Sequence, residues 1–147
     1  MVDVLLIDDE KPFLKDLAEG LSLYSKKIQV ITADNAKKAL EMINTAVIDI
    51  VVTDLNMPGM NGFELLTQLQ RTRPDVPFII MSANARVSVE DRLAGLRISK
   101  YLEKPLALQE IAEAILNEGR LMSVGNAEQS WIQLPMPRKI PVIREDV

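Results

Sequence analysis

The stretch Ile48-Asp49-Ile50-Val51-Val52-Thr53-Asp54 runs directly into Leu55-Asn56-Met57-Pro58-Gly59-Met60-Asn61-Gly62. A short apolar run that ends at a Pro-Gly turn reads as a buried strand, and this one delivers the Asp54 carboxylate to its carboxyl end. Other runs end in the same way. Val4-Leu5-Leu6-Ile7 leads into Asp8-Asp9, Phe78-Ile79-Ile80-Met81 into Ser82, and Lys100-Tyr101-Leu102 into Glu103-Lys104-Pro105. In a parallel sheet these ends share one edge, the edge where open α/β folds bind ligands. Three carboxylates gathered there repel one another unless a cation sits among them, and hard oxygen donors favour magnesium or a similar ion. Lys104 supplies a further counter-charge.

Apolar runs at about 2–8, 28–32, 48–53, 77–82 and 99–102 alternate with segments of helical period, which predicts five βα units. The first helix, over 10 to 24, carries Phe13, Leu14, Leu17, Ala18 and Leu21 on one stripe and tolerates Pro12 in its first turn. The second spans roughly 35 to 45, with Asn35 as its cap and Ala36, Ala39, Leu40 and Ile43 facing inward. Gly62 opens a third, with Phe63, Leu66 and Leu69 toward the sheet, which stops before Arg73-Pro74. A fourth, around 86 to 95, has few apolar positions at helical spacing. In the fifth, Leu108, Ile111, Ala112, Ile115 and Leu116 follow the i, i+3, i+4 pattern, and Gly119 can end it.

An acid pair, a lone aspartate, a hydroxyl and a lysine at successive strand ends form a set suited to phosphoryl transfer. On those residues, over about 2 to 119, the chain closely resembles the receiver domain of two-component response regulators. The resemblance implies an α/β, doubly wound (βα)5 fold with a five-stranded parallel sheet of order 2-1-3-4-5 and helices on both faces. It divides the chain into a receiver domain, 1–119, and a C-terminal tail or linker remnant, 120–147, without an output domain.

Composition narrows the chemistry independently. The 147 residues suit one domain with a sizeable core, and 48% are hydrophobic. A net charge of -4 lacks the basic footprint of a nucleic-acid binder. No run approaches the ~18 apolar residues of a membrane span, and no export signal is evident, so a cytoplasmic location is expected. Zero cysteines exclude disulfides, thiolate catalysis and cysteine zinc sites, and zero histidines exclude a serine-histidine triad, imidazole metal ligation and a phosphohistidine relay role.

By resemblance, Asp54 is the nucleophile that takes a phosphoryl group from a phosphohistidine on a sensor histidine kinase or phosphotransfer protein. The resemblance also assigns a magnesium site. Asp9 and Asp54 ligate directly, Asp8 acts mainly through water, and Asn56 offers its backbone carbonyl. Lys104, before a proline whose peptide bond is cis in the family, points inward and stabilises charge on the phosphoryl group. Ser82 and Tyr101 form the switch: the phosphoryl group attracts the Ser82 hydroxyl and Tyr101 rotates into the vacated space. This repacks the face of the fourth helix, fifth strand and fifth helix for a downstream protein. Asn56 and Asn84 flank the water that attacks in dephosphorylation, and small Ala83 leaves the phosphate access.

Blander readings exist for each residue. Asp54 could cap the Met57-Pro58-Gly59 turn, and Asp8 and Asp9 could be the cap and first turn of the first helix. Lys104 could be a surface lysine, Ser82 a strand terminus, and Tyr101 a packed ring with its hydroxyl at the surface. The ordered constellation outweighs them. One departure stands out: the family's small residue four positions before the switch aromatic is Arg97 here, with Gly95 two residues earlier, so the turn into the fifth strand is expected to be rebuilt.

Two other functions compete. An aspartyl-phosphate phosphatase of the haloacid dehalogenase type needs a second acid two residues after the nucleophile, where Asn56 stands. A phosphate-independent interaction module would not need the intact site. Residues 120 to 147 lack helical period and contain Pro135, Pro137 and Pro141. By composition they read as a linker. Trp131, Leu134, Ile140 and Val142 also suit an extended arm over 128 to 143 that docks on a surface or supports a homodimer.

Overall fold

The computed structural model describes residues 1–57, 60–83 and 95–123. Five parallel strands form the sheet: β1 (Val2–Ile7), β2 (Ile28–Ala33), β3 (Ile50–Asp54), β6 (Phe78–Ser82) and β7 (Lys100–Glu103). Their order is β2-β1-β3-β6-β7, which is the expected 2-1-3-4-5. Two further two-residue strands, β4 (Asn56–Met57) and β5 (Met60–Asn61), pair antiparallel where the sequence predicts a tight turn.

Side-chain alternation divides the interior into two layers. Leu5, Ile7, Val51, Phe78 and Ile80 join the core cluster that includes Ala39 and Ile43 of α2 (Ala36–Thr45) and Leu65, Leu66 and Leu69 of α3 (Gly62–Thr72). Val4, Leu6, Ile50, Val52, Ile79 and Met81 join the other, with Leu14, Leu17 and Leu21 of α1 (Lys11–Tyr24) and Ile111, Ala112 and Ile115 of the C-terminal helix (Leu108–Ser123). A sheet covered on both faces explains why its strands read as continuous apolar runs.

Helix ends follow local chemistry with two exceptions. Asn35 caps α2 as expected, its side chain accepting from the Lys38 N–H at 2.8 Å. The C-terminal helix, however, passes through Gly119 and continues to Ser123. Glycine serves close approach there: a Cβ on Gly119 would lie 2.7 Å from Val2 Cγ2. The acid pair does not cap α1 either. Its N-cap is Glu10, which makes no side-chain capping bond, while Asp8 Oδ1 accepts from the Glu10 N–H at 2.9 Å.

Gly62 is fixed more tightly. A Cβ there would lie 2.5 Å from the Leu55 carbonyl oxygen and 2.8 Å from Leu55 Cα, backbone that cannot swing aside. Gly62→Ala is expected to destabilise the fold by about 1–3 kcal/mol, the usual cost of overpacking, measurable by urea denaturation. Because Leu55 follows Asp54, the same substitution should disturb the site.

The turn before β7, where the sequence departs from the family pattern, is held by contacts of its own. Gly95 takes a positive φ of +90°. Gln70 of α3 brackets the Arg97 peptide, its Nε2 donating to the Arg97 carbonyl at 2.7 Å and its Oε1 accepting from the Arg97 N–H at 3.1 Å. The Arg97 guanidinium donates to the Pro74 carbonyl. The helix expected around 86 to 95 lies outside the described residues but for its last, Gly95, as does the proposed arm over 128 to 143. No described helix is long and apolar enough to cross a membrane.

Glu118 brings pH into the stability of the C-terminal helix. Burial raises its pKa above the ordinary 4.5, against weaker lowering by Ser99 and the Lys100 charge. The Ser99 hydroxyl makes no hydrogen bond of ordinary geometry, so its pull is small. A raised acid pKa means the folded state holds the proton more tightly than the unfolded one. The resulting stability is present below the unfolded pKa and lost as pH rises through the folded one. Glu118→Gln should therefore raise Tm at pH 7, and the gain should vanish towards pH 4.

Candidate functional site

Strand register sets the height of every candidate side chain. Ile7 pairs with Thr53, so Asp8 emerges beside Asp54; Asp54 pairs with Met81, one residue before Ser82; Ser82 pairs with Glu103, one residue before Lys104. The ladder extends past the strands. Asp8 N–H donates to the Ala33 carbonyl at 3.2 Å, Leu55 N–H to Met81 at 3.2 Å and Lys104 N–H to Ser82 at 2.8 Å. Backbone pairing thus continues along the carboxyl edge up to the candidate residues.

One carboxylate oxygen each from Asp8, Asp9 and Asp54 lies within 4.8 Å of the others, a set able to chelate a divalent cation. Asp8 and Asp54 are buried, while Asp9 is partly exposed. Lys104 Nζ bridges two of them, donating to Asp54 Oδ2 at 2.8 Å and Asp8 Oδ2 at 3.1 Å, with its own side chain 17% exposed. Burial pulls the Lys104 pKa down, but hydrogen bonds and charge from Asp54 and Asp8 outweigh it and hold it above the ordinary value. The ammonium therefore stays charged. Lys104 also lies over the Phe13 ring, 4.5 Å from its centroid, a contact that the sequence reading missed because it counted Phe13 as core alone.

The donor chemistry fits a hard cation. All three acids are oxygen ligands, two are buried, and a buried carboxylate is costly without a compensating charge. Metal ligation by the Asn56 carbonyl lies beyond the contacts described, although Asn56 directly follows the Asp54-Leu55 pair. The Lys104–Pro105 peptide is cis, as the resemblance implied. Lys104 is no free surface lysine.

Ser82 ends β6 fully buried, and Ala83 beside it is exposed. Tyr101 is also fully buried, within the core cluster that contains Ile80 and Ile98. This corrects the reading that left its hydroxyl at the surface. It also places inside the ring that the resemblance moves inward on phosphorylation. Asn84 lies outside the described residues.

Comparisons with known proteins agree with this geometry. The chain is 29% identical over 143 residues to the transcriptional regulatory protein GlrR of Escherichia coli, covering 96% of this chain and 31% of that protein. It is 37% identical over 114 residues to the transcriptional regulatory protein PrrA of Mycobacterium tuberculosis, covering 76% and 47%. It therefore spans less than half of the length of these curated relatives, 31% of the one and 47% of the other. Among solved structures, a response regulator receiver domain protein from Clostridium thermocellum superposes with a TM-score of 0.74 at 25% identity, over 84% of this chain and 98% of that one. In receiver domains an acid cluster beside a lysine is the phosphorylation and metal-binding arrangement. The response regulator receiver domain model matches residues 4–116, which spans every strand of the sheet but the first two residues of β1 and takes in both the acids and Lys104; the chain belongs to that family.

Proposed function

We propose that this chain is a phosphorylation-driven signalling switch, with residues 1–119 as its receiver unit and Asp54 as the phosphoryl acceptor. The observation that carries the reading is the bridging of Asp54 and Asp8 by the Lys104 ammonium beside a third carboxylate. An Asp54 carboxylate oxygen attacks the phosphorus of a phosphohistidine on a kinase or phosphotransfer protein. The new O–P bond forms as the P–N bond breaks, and the imidazole nitrogen keeps the bonding pair and takes a proton from solvent. Lys104 stabilises charge gathering on the phosphoryl oxygens.

Asp9 and Asp54, with the Asn56 carbonyl and Asp8 through water, would hold Mg2+, which supplies charge neutralisation and orientation for the incoming phosphoryl group. Ser82, buried at the end of β6, would answer a phosphoryl group on Asp54, a reading supported by the single register step between the two positions. Its movement would be passed through the packed Tyr101 to the output face, where a downstream protein docks. The 120–147 segment, whose first four residues complete the C-terminal helix, is read as a tail or linker.

Acetyl phosphate or phosphoramidate with magnesium should add one phosphoryl group, and chelator present from the start should prevent the addition. Steady turnover of a free phosphomonoester would instead favour the phosphatase reading, and intact partner binding without any incorporation would favour the phosphate-independent module.

A further inference from the structure

We propose that Phe13 is a positioning residue for phosphoryl transfer, its ring face holding the Lys104 ammonium beside Asp54. The inference rests on Asp54 as acceptor. Lysine is a compact charge on a flexible four-carbon stem, so its usefulness depends on what fixes it. Two of its contacts, to Asp8 and Asp54, are with the carboxylates that would also hold a cation. Once a divalent ion draws on that negative charge, the acids hold the ammonium less strongly. The ring differs from them. Its quadrupole attracts the ammonium without titrating and without ligating metal, so this hold persists whichever state the acids are in.

Phe13 is also anchored well enough to act this way. It lies in the first turn of α1 and packs, partly buried, against the core cluster of Leu14, Leu17, Leu102 and Ile111. Its Lys104 contact is over the ring, 4.5 Å from the centroid, rather than at the edge, where the positive rim would repel a cation. A ring serving only as core would need no such orientation.

Fluorinated phenylalanines at position 13 separate the two roles, because they weaken the ring's quadrupole stepwise while keeping its shape. With acetyl phosphate and magnesium, incorporation into Asp54 should slow progressively from Phe through 4-fluoro and 3,5-difluoro to pentafluorophenylalanine. The overall loss should be about three- to tenfold. Phe13→Leu should be as slow as the pentafluoro chain, and Phe13→Tyr, which keeps the π face, should stay within about twofold of wild type. A flat series among chains with equal melting temperatures overturns the proposal. A second readout is independent of phosphorylation: the Lys104 ε-methylene protons should be shifted upfield by the ring and return to ordinary values in Phe13→Leu. Ordinary values in the unmodified chain would equally overturn it. A chain that shows the upfield shift but accepts no phosphoryl group would count against the function of Asp54 and not against the Phe13–Lys104 contact.

Discussion

Asp54→Asn is expected to abolish phosphoryl incorporation from acetyl phosphate while leaving the chain folded. The substitution keeps the shape of a side chain that is 5% exposed and removes the nucleophilic oxygen anion. Asp8 shares the burial, the neighbouring carboxylates and the Lys104 contact, but its two oxygens accept from the Glu10 N–H and from the Lys104 ammonium, and of the three acids only Asp54 is itself the last residue of a strand. Incorporation should therefore fall to background rather than shift to Asp8 or Asp9. Divalent cation affinity should fall as well, because one of three carboxylates is lost. The measurement is intact-protein mass after incubation with donor and magnesium, with calorimetric titration of the ion in parallel. Undiminished incorporation would remove Asp54 from the mechanism.

Lys104→Met is expected to have the largest effect on stability, and an effect that depends on the metal. Without the ammonium, two buried carboxylates and a partly exposed third face one another within 4.8 Å. Removing one partner of a buried ion pair typically costs about 3–5 kcal/mol, because the remaining charge is left uncompensated. Thermal unfolding in chelator should show that loss. Magnesium should restore much of it, since a cation that binds only the folded state stabilises by mass action. The variant should also bind the ion more tightly than wild type, whose own ammonium competes for the same oxygens. Phosphorylation of the variant should be slow, because transition-state charge loses its nearest fixed cation among the described residues. A variant equally stable with and without magnesium would contradict this account of Lys104.

How far the sequence carries these conclusions differs from residue to residue. The strands were legible because a sheet buried on both faces demands uninterrupted apolar runs, and Val4 to Ile7, Ile50 to Val52 and Phe78 to Met81 meet that demand within a residue or two. The helical stripes of α1, α2, α3 and the C-terminal helix followed from the 3.6-residue period. Asn35 was recognisable as a cap because its side chain answers a local backbone donor. In each case the cause lies within a few residues of its effect.

Composition and order along the chain thus determined the fold class, the identity of the acids and the presence of Lys104 opposite them. Tertiary structure decided what depends on residues distant in sequence. Only strand register sets Asp54 beside Asp8 and one step from Ser82, and only the approach of the residue after β7 to the first turn of α1 brings Lys104 over Phe13. Gly119 shows the limit most plainly. Local propensity makes it a helix terminator, but its place against Val2, more than a hundred residues away, keeps it inside the helix. A glycine's local signal carries only its conformational freedom. Whether that freedom ends a helix or lets two elements touch is fixed by what packs against it.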